Sequence, residues 1–172
     1  KVPTAIGRPP RVLGPGDREN LAFVKLVKRG VMVELNGGPR PLSMVDVDDV
    51  VAGFATLGTH PAAVGQTFFL TSPESLTIER IQELAADALG ASPRRVKLNP
   101  WMLRSLALAA DRVSTVTGKH LPLNKKLAEQ LLAPAWTCSS KKAENLLGFK
   151  TSVGLEASIR RSIAWYREKG WV

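Results

Sequence analysis

The chain of 172 residues has one cysteine, one tyrosine and two histidines. With Cys138 alone no intrachain disulfide can form, so a disulfide-stapled scaffold is excluded. A reducing, cytoplasmic setting suits that usage, and Cys138 is expected to be an inert buried thiol. His60, His120 and Cys138 lie far apart in sequence, short of the four or so ligands that a zinc site needs, and no metal is assigned. Long apolar runs are missing too. The most apolar helical stretch, 101–116, is interrupted by Arg104, Asp111 and Arg112, so no membrane span is expected. Residues 1–16 carry Pro and Gly rather than an apolar targeting core. Gly14-Pro15-Gly16 is not a GxGxxG turn, and the P-loop and nucleophile-elbow patterns are absent. Four residues after Tyr166 comes Gly170, so the chain holds no Tyr-x-x-x-Lys pair and no catalytic residue is assigned.

What is present describes a folded unit. Apolar residues make up 44% and charged residues 23%, ordinary values for a globular domain, and a chain of this length can bury a sizeable core. Lys plus Arg number 24 against 15 Asp plus Glu, a net charge of +9. More than half of that excess lies in 99–150, where eight bases face three acids. Such a surface suits an anionic ligand, nucleic acid or an anionic membrane, or simply solvated helix faces. No helix-turn-helix, zinc-finger or RNA-binding signature accompanies it, so no nucleic acid partner is assigned.

The pattern is mixed α and β, and mostly helical in its second half. Pro3 to Arg8 reads as a strand stopped by Pro9-Pro10. Arg11 to Asp17 reads as a loop, Glu19 to Arg29 as a helix and Val31 to Leu35 as a strand. Leu42 to Val47 is extended, and Asp48 or Asp49 is expected to cap a helix closed by Gly58. That cap is the structural reading of the Asp46, Asp48, Asp49 cluster; acid–base work or the holding of a metal are the functional ones. Thr67 to Thr71 and Arg95 to Leu98 read as strands. Helices are expected from Thr77 to Gly90, from Pro100 to Gly118, from Asn124 to Leu132, from Ser139 or Ser140 to Leu147, and over a final stretch with Leu155, Ile159, Ile163 and Tyr166 on one face.

Several segments, in order, resemble the later half of an extended short-chain dehydrogenase/reductase, the NAD(P)-dependent epimerase/dehydratase and hydroxysteroid-dehydrogenase superfamily. Residues 7–17, GRPPRVLGPGD, resemble the family's "RPxxVYGPGD". Residues 43–51, SMVDVDDVV, are similar to "fvhVdDva", and 65–70 with 75–79 to "GxxYxL … sxtxxE". Residues 140–149 resemble "kaxxxLGf", and 159–170 the closing helix "sixxtvxWyrexG". Arg11 and Leu13 replace the Asn and Tyr of the sugar-nucleotide branch. The long helix from Pro100 and the loop with Leu121 and Pro122 are nearer the 3-beta-hydroxysteroid dehydrogenase and dihydroflavonol reductase-like branch.

The resemblance implies a partial Rossmann-like sheet plus a mostly helical substrate-binding region, without the N-terminal dinucleotide-binding half. Residues 1–60 would complete the sheet and 61–172 would bind substrate. The intact enzyme would use NAD or NADP to move a hydride to or from a carbonyl or secondary alcohol, with an upstream Tyr, Lys and Ser doing the proton chemistry. Binding of the cofactor would fall to Pro9, Pro10 and Arg11, where the loop leaves the sheet. Leu13, Trp101, Met102 and Leu106 would line the site of an apolar substrate, although ordinary core packing explains the same helical stripe. The partners implied are a small apolar molecule, the missing half and, compatibly, a second copy. A non-catalytic ligand- or partner-binding module of the same fold is the alternative. A strand edge and an apolar face left open would make the chain marginally stable or self-associating.

Overall fold

A computed structural model describes residues 2–118, 121 and 123–172. The expectations that touched Lys1, Lys119, His120 and Pro122 lie outside the described residues. The chain opens with β1 (Ile6–Arg8) and β2 (Arg11–Leu13), then α1 (Leu21–Lys28), β3 (Val31–Leu35), β4 (Leu42–Asp46) and α2 (Val47–Thr59). β5 (Thr67–Phe69), β6 (Ser75–Leu76), α3 (Ile78–Leu89) and β7 (Arg94–Leu98) follow. The rest is helical: α4 (Pro100–Thr117), α5 (Lys125–Leu132), α6 (Lys141–Leu147) and α7 (Leu155–Glu168).

Pairing is mostly parallel, as in layered α/β folds. β1 lies beside β5, with Gly7 opposite Phe68. β2 runs parallel to β4, with Val12 opposite Val45, and β6 closes antiparallel on β4's other side. β3 and β7 form a separate parallel pair. The expected loop at 11–17 therefore begins as a strand. Proline has no N–H to donate, so the ladder breaks at Pro9-Pro10; it resumes on a different neighbour rather than ending. β1 has no strand on its outer edge among the described residues, and Ile6, Val51 and Phe54 are exposed nearby. Gly7 lets α2 close onto β1: a Cβ there would sit 2.6 Å from the Phe54 ring and 2.9 Å from Leu57.

The helix ends follow local chemistry with one displacement. Thr77 caps α3 by accepting from the Arg80 N–H, and Gly90 ends it in the left-handed region. At α2 the cap is Asp46, not Asp48 or Asp49. Its backbone is extended and its carboxylate accepts from the Asp48 N–H at 2.9 Å. α2 also runs past Gly58 to Thr59, where Pro61 forces His60 into an extended conformation and halts it.

α1, α3 and α7 pack over β2 and β4, burying Val24, Met44, Ile81, Leu84, Leu155 and Ile163. Two polar fastenings hold this core. Asp46 is fully buried and accepts from both the Ser158 hydroxyl and Arg161, whose Nη2 lies 2.7 and 2.8 Å from the two carboxylate oxygens. Asp49, also buried, accepts from the Ser152 N–H and hydroxyl, both at 2.8 Å, and from the Val153 N–H at 3.2 Å. The acidic cluster thus joins the start of α2 to α7 and to the turn before it. Tyr166, fully buried, donates its phenol to the Asp17 carbonyl at 2.5 Å. Trp171 stacks on Tyr166 with ring centroids 6.0 Å apart, and Arg18 lies over Trp171 at 5.4 Å.

Two outcomes follow. Arg161→Ala strands a buried carboxylate; because Arg161 itself is partly exposed, the loss is set at about 2–4 kcal/mol, below or at the usual cost of breaking a buried pair, and urea unfolding measures it. Burial, then the nearby Asp17 carboxylate, pushes the Tyr166 phenol well above its ordinary value. A raised acid pKa stabilises the fold fully below the unfolded value of about 10 and is lost as pH climbs beyond it. As the chain's sole tyrosine, it reports without ambiguity: absorbance at 295 nm shows no phenolate near pH 10 in the folded protein and rises only with alkaline unfolding. A normal titration near pH 10 with the fold intact contradicts this placement.

Candidate functional site

Arg11 is the junction of three hollows. It stands at the start of β2, just past the proline pair, with its side chain 16% exposed and its Nη2 3.3 Å from Glu19. Its Nε is buried and has no hydrogen-bond partner among the described residues, a group whose desolvation goes uncompensated until something accepts from it. A hollow of about 410 Å³ lies along the β2–α1 loop, lined by Pro10, Arg11, Gly14 and Asp17. A second, of about 300 Å³, is bounded by Pro9, Pro10, Arg11, Ser43 and Trp136. The third is the largest at about 570 Å³, and its wall is chiefly aliphatic and aromatic.

The main cavity arises where α1, β3, α4 and α5 meet without filling the space between them. Phe23 and Leu26 come from α1, Val33 and Leu35 from β3, Leu103 from α4 and Leu127 from α5, with Arg11 and Arg18 among the polar groups. Such a hollow takes a molecule with a long apolar body and a polar group near the arginines. Its wall draws on residues from both sides of position 60.

The loop that follows β2 is held from behind. Tyr166 fixes the Asp17 carbonyl, and the Asp17 carboxylate accepts from the Glu19 N–H at 2.7 Å and the Asn20 amide at 2.6 Å. Gly14 has φ +153°, and a Cβ there would lie 2.6 Å from Val47, so only glycine fits this crossing. β3 is held by Gln82, which is fully buried in α3. Its amide accepts from the Val33 N–H and donates to the Val33 carbonyl, both at 2.8 Å, taking the place of a strand edge.

The residues expected at the site are divided among these places. Pro9, Pro10 and Arg11 lie together around the hollows. Leu13 borders the β2–α1 hollow but is buried in the main core. Leu106 lines the largest cavity, whereas Trp101 and Met102 do not. The α4 residues buried in the core are Leu103 and Ala107. Arg18, Phe23, Leu35 and Gln82 escaped the sequence reading. Of these only Phe23 lies on α1, whose apolar stripe ordinarily means core. Cys138 is half-buried rather than buried; its N–H and carbonyl bond the Ser43 hydroxyl at 3.0 and 3.3 Å, which holds that segment at the sheet margin. Among the described residues no group of His, Cys, Asp and Glu could hold a metal ion, and no helix is long and apolar enough to cross a membrane.

No protein-family model matches the chain. It is 29% identical over 168 residues to the ceramide reductase of Caulobacter vibrioides, covering 97% of this chain and 52% of that protein. It is 25% identical over 171 residues to the 3beta-hydroxysteroid-dehydrogenase/decarboxylase isoform 2 of Arabidopsis thaliana, covering 91% and 30%. The solved Bordetella bronchiseptica enzyme WbmG, in complex with NAD and UDP, overlays all of this chain on 46% of its own with a TM-score of 0.66 at 19% identity. Relatives and structural neighbours alike are epimerase/dehydratase or short-chain dehydrogenase/reductase proteins, and this chain matches their C-terminal half. The chain spans about half the length of the first curated relative. Its mixed α/β architecture, with short parallel strands and a helical second half, is the C-terminal portion of that Rossmann-like fold.

The cavity is testable by filling it. Ala22 of α1 is a small residue on its wall. Ala22→Phe places a ring in the hollow, so binding of an apolar fluorescent probe falls at least about tenfold while the far-ultraviolet spectrum stays unchanged. Undiminished probe binding in that variant means the probe sits elsewhere.

Proposed function

We propose that this chain is the substrate-binding part of an NAD(P)-dependent oxidoreductase acting on a carbonyl or secondary alcohol of an apolar, long-chain molecule. The observation that carries this reading is the aliphatic cavity of about 570 Å³ that meets Arg11 at the sheet margin. Its chemistry agrees with the names of the two curated relatives, a ceramide reductase and a hydroxysteroid dehydrogenase/decarboxylase. A nucleotide-sugar would leave its hydroxyls and phosphates against Phe23, Leu26, Leu35 and Leu103, where they find few partners.

In this reading the cofactor approaches the carboxyl end of β1. Bound NAD(P) supplies or accepts the hydride. Pro9 and Pro10 present no N–H there, so an aromatic ring can rest on them without stranding a donor. Arg11 has a free Nε beside its Glu19 pairing, a donor suited to a phosphate or substrate oxygen. The cavity wall excludes water from the apolar body of the substrate and orients its reacting carbon toward the strand ends. The dinucleotide fingerprint and the proton-transfer residues belong to a half outside this chain. Tyr166 is not a substitute, since its phenol is buried on the Asp17 carbonyl.

The test supplies the dinucleotide-binding half as a second polypeptide. NADPH and NADH fluorescence titrations show binding only with both parts present, and the pair oxidises reduced nicotinamide in the presence of a long-chain ketone. Arg11→Met raises KM or the cofactor Kd about tenfold, in line with loss of a charge-assisted bond. Tight cofactor binding by the chain alone overturns the proposal, as does a pair that binds cofactor but turns over no apolar carbonyl or alcohol.

A further inference from the structure

We infer that the molecule taken up by the main cavity is an acid, a single apolar chain ending in a carboxylate or phosphate ester that Arg18 and Lys126 select. The inference deepens the proposed function and rests on its reading of the cavity as the substrate site. The cavity of about 570 Å³ is graded from floor to rim. Phe23, Leu35, Ile78 and Leu103 belong to its wall and are buried. Arg18, Glu19, Asn124 and Lys126 belong to the same wall and are exposed, so they stand where the cavity meets solvent. A molecule that enters chain first leaves its head among these four.

The charges of that rim do not balance. Glu19 is the only carboxylate on the cavity wall, and it lies 3.3 Å from Arg11. The Asp17 carboxylate is near in sequence but is not on this wall, and it already accepts from the Glu19 N–H and the Asn20 amide. Two cations are left over. Arg18, just before α1, lies over the Trp171 ring at 5.4 Å and pairs with no carboxylate among the described residues. The Lys126 side chain, in the first turn of α5, has no ion-pair or hydrogen-bond partner among them. A negative head can draw on both. A hydroxyl offers them no charge, and an ammonium is repelled. Arg11, with its Glu19 pairing, is not called on. Burial of the chain against the floor contributes the same affinity whatever the head, so ligands of one chain length isolate the effect of the rim.

Displacement of a neutral apolar fluorophore from the chain, without cofactor, reads the head group directly. Decanoate and decyl phosphate displace it at concentrations at least about tenfold below that of decanol, and decylammonium is the weakest of the four. The tighter of the two acids names the head group. Arg18→Gln combined with Lys126→Gln abolishes the preference for acid and leaves decanol binding and helix content unchanged. Lys125→Gln, next to Lys126 but off the cavity wall, keeps the preference, which separates the rim from the general positive charge of the chain. Equal binding of acids and alcohol overturns the inference while the cavity reading stands. A preference that survives the double variant, or that Lys125→Gln removes, overturns it as well. If no decyl ligand displaces the fluorophore, the inference and the cavity reading fall together. A preference for acid beside a reconstituted pair without turnover defeats the oxidoreductase reading alone.

Discussion

A carboxylate that sees no water must be surrounded by donors, and the fold is arranged around one such group. Asp46 ends β4 and caps α2, and it is reached by Ser158 and Arg161 from a helix more than a hundred residues later. The desolvation of that charge is offset only while α7 lies across the β4–α2 corner. Asp49 repeats the device one turn further on, receiving the N–H groups of the turn that launches α7. Once α7 is in place, Leu155, Ile159, Ile163 and Tyr166 form the floor of the main core. Tyr166 then passes the constraint on to the loop that carries Asp17.

The strand that leads into that loop begins where two prolines end one strand pairing and a second starts. The change of partner at Pro9-Pro10 moves the chain from β5 to β4, and it leaves Arg11 at the opening between sheet and helices. An arginine with one pairing on Glu19 and a free buried Nε is held in place yet retains a donor. Rigid support on one side and unspent hydrogen-bonding capacity on the other are what the ligand contact proposed for Arg11 calls for.

α1, β3, α4 and α5 surround the cavity without closing it because their fastenings lie on their far sides. Gln82 grips β3 from α3, and α1 packs on α3 and α7 through Val24 and Val27. α4 and α5 share the small cluster of Leu103, Ala107 and Ala128. Two of those three residues are alanines, so the helices pack closely there while larger side chains stand back around the hollow. The same helix turns Trp101, Leu108 and Val116 outward, which makes α4 the wall between the cavity and the solvent.

Local chemistry was legible in the sequence wherever a cap or a period decided the outcome. Thr77 and Gly90 bound α3, Gly118 and Gly148 end their helices in the left-handed region, and the α7 stripe is the buried one. The resemblance of GRPPRVLGPGD, SMVDVDDVV and the closing helix to one superfamily led to the fold that the structure displays. Tertiary contacts settled what short-range pattern does not contain. The strand at 11–13 exists because β4 offers it a ladder, and the role of Asp49 because residues 152–153 bring it donors. Gln82 looks like any polar helix residue until β3 arrives beside it. The apolar residues of α4 could not be sorted by period alone, since two faces satisfy it; only the position of α5 decided which face is core and which is surface. Sequence determines the preferences of each segment, and the partners that satisfy a buried charge, a free edge or an apolar face come from elsewhere in the chain.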